Sequence, residues 1–234
     1  MPDYGALERT LTDALQLTRR PVAVAFLDEP PEGVRRLDGA QPSGCTFWSL
    51  AADGQVFYTA PEDHYNCPIG SYTHHIDLPK EREHELSDTL SLMADLGYIR
   101  MAEVPAVPRL DKTPAATVYS SLGDTPTDPA VVIVTGTPGG LMLLHEAGAR
   151  IGITSTSLLG RPTCMAIPAA LSSGIASSLG CVGNRIYTAL EDEEFYSVIR
   201  ADKLAAIAGE IATITAANVM LTQYHRERLA TITA

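Results

Sequence analysis

Between Pro129 and Gly136 the chain runs Ala130-Val131-Val132-Ile133-Val134, a β-branched segment with no polar residue on either side of its pleat. A strand of that kind must be covered on both faces. Gly136-Thr137-Pro138-Gly139-Gly140 then turns the chain into the apolar run Leu141-Met142-Leu143-Leu144. Strand, glycine turn and helix make an α/β unit, which sets the class for the rest. Tyr4, Leu7, Leu11, Ala14 and Leu15 share one face of a helix over residues 4–17, and residues 22–27, 56–59 and 116–120 read as strands. Leu86, Leu90, Met93 and Leu96 predict a surface helix over 80–98, and residues 45–52 a short one. From Asp202 onward Leu204, Ile211 and Asn218 alternate with Ile207, Ile214 and Leu221 at heptad spacing, the seam of a long helix that packs within the chain or on a second copy of it. The expected fold is a single α/β domain over residues 1–234 with a mixed sheet and a long C-terminal helix.

A weak internal echo runs through that domain. Pro21-Val22-Ala23-Val24-Ala25-Phe26 is followed by Cys45 and by Cys67-Pro68-Ile69-Gly70. Pro129-Ala130-Val131-Val132-Ile133-Val134 is followed by Cys164 and by Cys181-Val182-Gly183. Each half offers a strand and two cysteines, which predicts two pseudo-repeated halves with a boundary near residues 115–130 and four thiols on a pseudo-two-fold axis.

Charge excludes some partners. The formal net charge of −11 supplies no positive field for phosphate backbones or anionic lipid, so neither nucleic acid nor membrane is an expected partner. The uncharged stretch from Pro162 to Asn184 carries too much Ser, Thr, Gly and Pro for a membrane span. With no signal-like N-terminus and only four cysteines, the expected compartment is the cytoplasm, where thiols stay reduced. The acidic run Glu191-Asp192-Glu193-Glu194 reads as first-turn charge on a helix.

No Gly-x-Gly-x-x-Gly, Walker loop, His-Glu-x-x-His or Gly-x-Ser-x-Gly occurs, which removes the usual grounds for a nucleotide or serine-hydrolase site. The cysteines remain. Cys67 and Cys181 have glycines close by that let the backbone turn N–H groups toward sulfur, and Cys45 and Cys164 follow turn-type residues. Four thiols meet the ligand count of a tetrathiolate zinc or of an iron–sulfur cluster. The absence of Cys-x-x-Cys knuckles disfavours zinc, and widely separated cysteines suit a cluster better. Buried structural cysteines are the alternative. His64, Tyr65, Asn66, Tyr72, His74, His75, Arg161, Asn184 and Arg185 flank these thiols.

The stretches Glu62-Asp63-His64-Tyr65-Asn66-Cys67-Pro68-Ile69-Gly70, Gly160-Arg161-Pro162-Thr163-Cys164 and Ser178-Leu179-Gly180-Cys181-Val182-Gly183-Asn184-Arg185 resemble those of the domain of unknown function 169 family. The resemblance covers nearly the whole chain and implies a shared four-cysteine site without implying a reaction. The expectation is a [4Fe–4S] cluster on Cys45, Cys67, Cys164 and Cys181, in an oxidoreductase or lyase doing redox or sulfur chemistry on a small anionic molecule, with an electron-transfer partner. Arg161, Arg185, Asn184 and Tyr72 would bind the substrate and His64 would donate a proton. Two alternatives use the same thiols: a non-catalytic metal or cofactor module serving as sensor or carrier, and a metal-free thiol oxidoreductase.

Overall fold

A computed structural model describes residues 2–158 and 161–233, so Gly160 of the second motif lies outside the described residues. The elements follow in the order α1 (Tyr4–Leu15), β1 (Val22–Leu27), α2 (Thr46–Ala52), β2 (Phe57–Thr59), α3 (Pro68–Thr73), α4 (His84–Asp95), β3 (Ala116–Ser121) and β4 (Val131–Gly136). They continue as α5 (Pro138–Arg150), β5 (Thr154–Leu158), α6 (Ala166–Ser173), β6 (Gly174–Ser178), α7 (Val182–Thr188), β7 (Phe195–Arg200) and α8 (Ala201–Thr233). The seven strands form one mixed sheet in the order β2-β3-β1-β4-β7-β6-β5, antiparallel throughout except for the parallel β5–β6 pair.

The apolar run that opens the argument lies in the middle of this sheet as β4. Val131 and Ile133 point into one core layer with Val22, Val24, Phe47, Trp48, Phe57 and Tyr119. Val132 and Val134 point into the other, beneath α1, α5 and α8, with Leu11, Leu15, Leu141, Leu144, Leu204, Ile207 and Ile211. A period-two strand with both sides apolar thus has a helical layer on each side. Thr137 caps α5 by accepting from the Gly140 N–H at 3.4 Å, and α5 meets the end of α1 so closely that a Cβ on Gly140 would lie 2.4 Å from the Leu15 carbonyl oxygen.

The strand order reads alike from either side of the β1–β4 pair: β1, β3, β2 outward on one side, β4, β7, β6 on the other. In each half the outermost neighbour runs parallel, Arg36 beside Tyr58 of β2 and β5 beside β6. Cys45 precedes Phe57 by twelve residues and Cys164 precedes Ala176 by twelve, and all four belong to the same core layer.

Two readings of the sequence change, and a third gains its structure. The acidic run starts no helix: it occupies the turn between α7 and β7, where Glu194 is buried against Arg19 (3.4 Å) and Thr18 (2.9 Å). Residues 162–184 hold α6 and β6, packed into the core by their small side chains, with β6 in register between β5 and β7. The helix within 80–98 is shorter, spanning His84–Asp95, and none of its residues is fully buried. Only the first part of the α8 seam is covered, at Leu204, Ile207, Ala208 and Ile211, and Val219, Met220, Leu221 and Tyr224 are exposed. By length and composition α8 is also long and apolar enough to cross a membrane.

Candidate functional site

Each cysteine stands where a helix begins. Cys45 is the N-cap of α2, Cys67 of α3 and Cys181 of α7, and Cys164 sits in the 3-10 turn Thr163–Met165 that leads into α6. The first N–H groups of a helix have no intrahelical partner, so a helix start is a place where donors can face a sulfur. Local contacts fix the positions. Cys67 N–H donates to the His64 carbonyl at 2.9 Å, and its Sγ folds back over α3 so far that a Cβ on Gly70 would lie 2.9 Å from it. Cys45 N–H donates to Ser43 Oγ at 3.1 Å. Cys181 N–H donates to Thr163 Oγ1 at 2.6 Å, tying its loop to the turn that carries Cys164. Gly180, at φ +81°, makes the reversal before Cys181 that a side chain would strain.

All four thiols line one cavity of about 550 Å³ and none is in a disulfide. Cys45 and Cys164 form a buried pair at 5% exposure each, and Cys67 and Cys181 a half-buried pair. Burial pushes the Cys45 and Cys164 thiols well above the usual range, and the other cysteines push them further. Asn184 hydrogen-bonds Cys45 and Thr73 hydrogen-bonds Cys164, each opposing that rise. Cys45 and Cys164 are therefore neutral thiols near pH 7.

The flanking residues divide by position. Asn184 and Arg161 lie on the cavity wall with the thiols. Arg161 is already engaged: it donates to the Tyr98 carbonyl, its guanidinium lies 5.1 Å over the Tyr98 ring, and Nη2 is 3.5 Å from Glu103. Arg185 is turned away from the cavity, donating to the carbonyls of Glu191 (2.9 Å), Leu179 (2.7 Å) and Glu194 (3.2 Å), where it braces the turn before β7. Tyr72 stands beyond the wall, under Arg109 at 4.2 Å.

His64 is off the cavity wall, buried behind Phe47, with ring centroids 4.9 Å apart. Its Nε2 is 2.9 Å from Thr59 Oγ1, whose hydroxyl donates to the Thr117 carbonyl at 3.4 Å, so Nε2 carries the ring proton. Burial, with His74 adding, pushes His64 well below its ordinary value, and burial also lowers His74. Both rings are neutral in the fold, while the unfolded chain protonates them below about pH 6.5. Stability is therefore full above that pH and is lost as pH falls through it. At about pH 5 the His64 contribution alone amounts to up to about 2 kcal/mol. Urea midpoints at about pH 7.5 and about pH 5 should differ accordingly, with part of the difference removed in His64→Gln; equal midpoints would contradict the assignment.

Several buried polar atoms around the thiols lack a hydrogen-bond partner: Trp48 Nε1 on α2, His64 Nδ1 before Cys67, His74 Nε2, Tyr119 Oη beneath the Cys45–Cys164 pair, and Asn184 Oδ1 on α7. Such orphans are rare and cost about 1–3 kcal/mol each. Their concentration around the cysteines fits a site that holds a polar or charged group. Tyr119 and Trp48 carried no sequence signal, since an aromatic residue in a strand or short helix reads as core. Among the described residues no three His, Cys, Asp or Glu side chains are gathered closely enough to hold a lone metal ion.

A family model, domain of unknown function 169, described as uncharacterised ArCR, matches residues 10–210 of the 234. No curated protein and no solved structure matches the chain.

Proposed function

The chain belongs to the domain of unknown function 169 family, and for this member we propose that Cys45, Cys67, Cys164 and Cys181 bind an iron–sulfur cluster of the four-iron type, used in redox or sulfur chemistry on a small molecule. The observation that carries the reading is the meeting of four helix-start cysteines on one cavity. A lone tetrahedral ion needs its sulfurs about 3.8 Å apart, from metal–sulfur bonds of about 2.3 Å, and among the described residues no group that compact is preformed. A four-iron cluster binds each sulfur to a different iron and so takes a wider set. The orphaned Tyr119 Oη, electrostatically coupled to Cys45 and Cys164, suits the negative charge that thiolates and cluster carry.

Two half-domains meeting at the β1–β4 pair account for the ligand set, each giving one buried and one half-buried cysteine: Cys45 and Cys67 from the first, Cys164 and Cys181 from the second. The cluster supplies electron transfer, or a Lewis-acidic iron where a ligand position is open. The chain's own residues hold it, exclude water from the buried pair and set its surroundings through Asn184, Thr73 and Tyr119.

Protein purified without oxygen should contain iron and acid-labile sulfide near four each per chain. Neither element in such a sample would overturn the proposal, and zinc alone would replace it with a structural metal.

A further inference from the structure

Resting on the reading that the four-thiol cavity is the working site, we propose that its substrate is an uncharged molecule with an apolar body, aromatic or branched aliphatic, instead of an anion. Asn66, Thr89 and Arg161 on the wall are committed to protein, and the orphaned Asn184 Oδ1 there is an acceptor that offers an anion nothing. Asn66 donates to the Gln41 carbonyl and accepts from Arg82, and Thr89 donates to the Glu85 carbonyl. Arg161 is the sole charged residue among the described residues of the wall, and its guanidinium is spent on the Tyr98 carbonyl, the Tyr98 ring and Glu103. An anion entering the cavity meets no free positive charge. No charged side chain of the wall would offset its desolvation.

The rest of the approach to the thiols is apolar. Leu92 and Met93 of α4, Leu96 just after it, and Val182 and Tyr187 of α7 line it. Leu92, Leu96 and Val182 are 59%, 74% and 60% exposed, so the cavity opens onto apolar surface that a substrate would cover. Half-buried Cys67 and Cys181 line the same cavity and are more exposed than the buried Cys45 and Cys164. Few buried polar groups, an apolar wall and a few hundred cubic ångströms are the usual makings of a small-molecule pocket. The absence of full burial along α4 means that binding would complete the core of that helix.

The probe is Nile red, a neutral apolar dye, titrated into the anaerobically purified full chain, beside the double variant Leu92→Glu/Leu96→Glu, Arg161→Gln, and Leu221→Glu on α8. Both leucines are mostly exposed, so the double variant should fold, and unchanged iron and sulfide would confirm an intact site. The expected result is saturable binding that weakens about tenfold or more in the double variant, as loss of leucine contacts implies. Binding should persist in Arg161→Gln and Leu221→Glu and withstand millimolar sulfate. No saturable binding, binding indifferent to Leu92→Glu/Leu96→Glu, loss in Leu221→Glu alone, or displacement by sulfate would each overturn the proposal. Iron-free protein that still binds the dye in the expected pattern would remove the cluster and uphold the apolar site, so the two readings fail separately.

Discussion

Cys164→Ala and Cys45→Ala should each purify folded and colourless, with iron and sulfide reduced from about four per chain to near zero. Both sulfurs are almost wholly enclosed, so nothing from solvent can replace a missing ligand. Cys67 and Cys181 are half-buried, and an iron that loses one of them stands near the cavity mouth, where a solvent or buffer ligand can substitute. Cys67→Ala and Cys181→Ala are therefore expected to retain part of the cluster, with a shifted visible spectrum and faster loss in air. Circular dichroism separates this outcome from unfolding, because trimming a thiol to a methyl removes one heavy atom. Full iron content in Cys45→Ala or Cys164→Ala would exclude them as ligands.

The second large effect is on stability. Phe47→Ala should cost about 3–5 kcal/mol, a large fraction of the roughly 5–15 kcal/mol that holds a domain together. Phe47 is 1% exposed, and its ring meets Tyr119 at 5.4 Å, His64 at 4.9 Å and Phe57 at 6.3 Å. It joins α2 to β2 and β3 and stands two residues beyond Cys45. The cavity left by its removal would open beside that ligand, so cluster retention should fall along with the urea midpoint. Leu92→Ala, on the exposed side of α4, should move the midpoint by no more than about 0.5 kcal/mol. Similar midpoints for the two variants would mean that the aromatic group around Phe47 does not carry the core.

Elements with one dominant periodicity are legible in the sequence. The β-branched run of β4, the heptads of α8 and the apolar face of α1 stand where residue spacing places them. The mixed sheet follows from the same reading, which placed the cysteines at turns and missed the helices that begin after Cys67, Cys164 and Cys181. β5 and β6 escaped it: Thr-Ser-Thr-Ser-Leu and Gly-Ile-Ala-Ser-Ser are too polar or too small to show a strand pattern, and only their pairing with β7 and each other makes them strands. Glu191 to Glu194 misled because a cluster of acids is equally at home in a turn, and the buried partner that holds Glu194 there, Arg19, lies 175 residues away in sequence. Of the site, the four thiols were legible. The engagement of Arg161, the withdrawal of Arg185 and the position of His64 depend on long-range contacts that spacing does not encode.

The placement of β4 against β1 has a consequence for timing. Cys45 and Cys181 are 136 residues apart, and at roughly 5–20 residues per second the first emerges during synthesis roughly ten seconds before the last. Through that interval the first half shows an open sheet edge at β1 and two thiols without their counterparts. The four cysteines of the proposed ligand set come together only after β7 has docked on β4, so insertion of the proposed cluster would be a late, post-synthetic step, and a cell short of reductant would damage the waiting cysteines first.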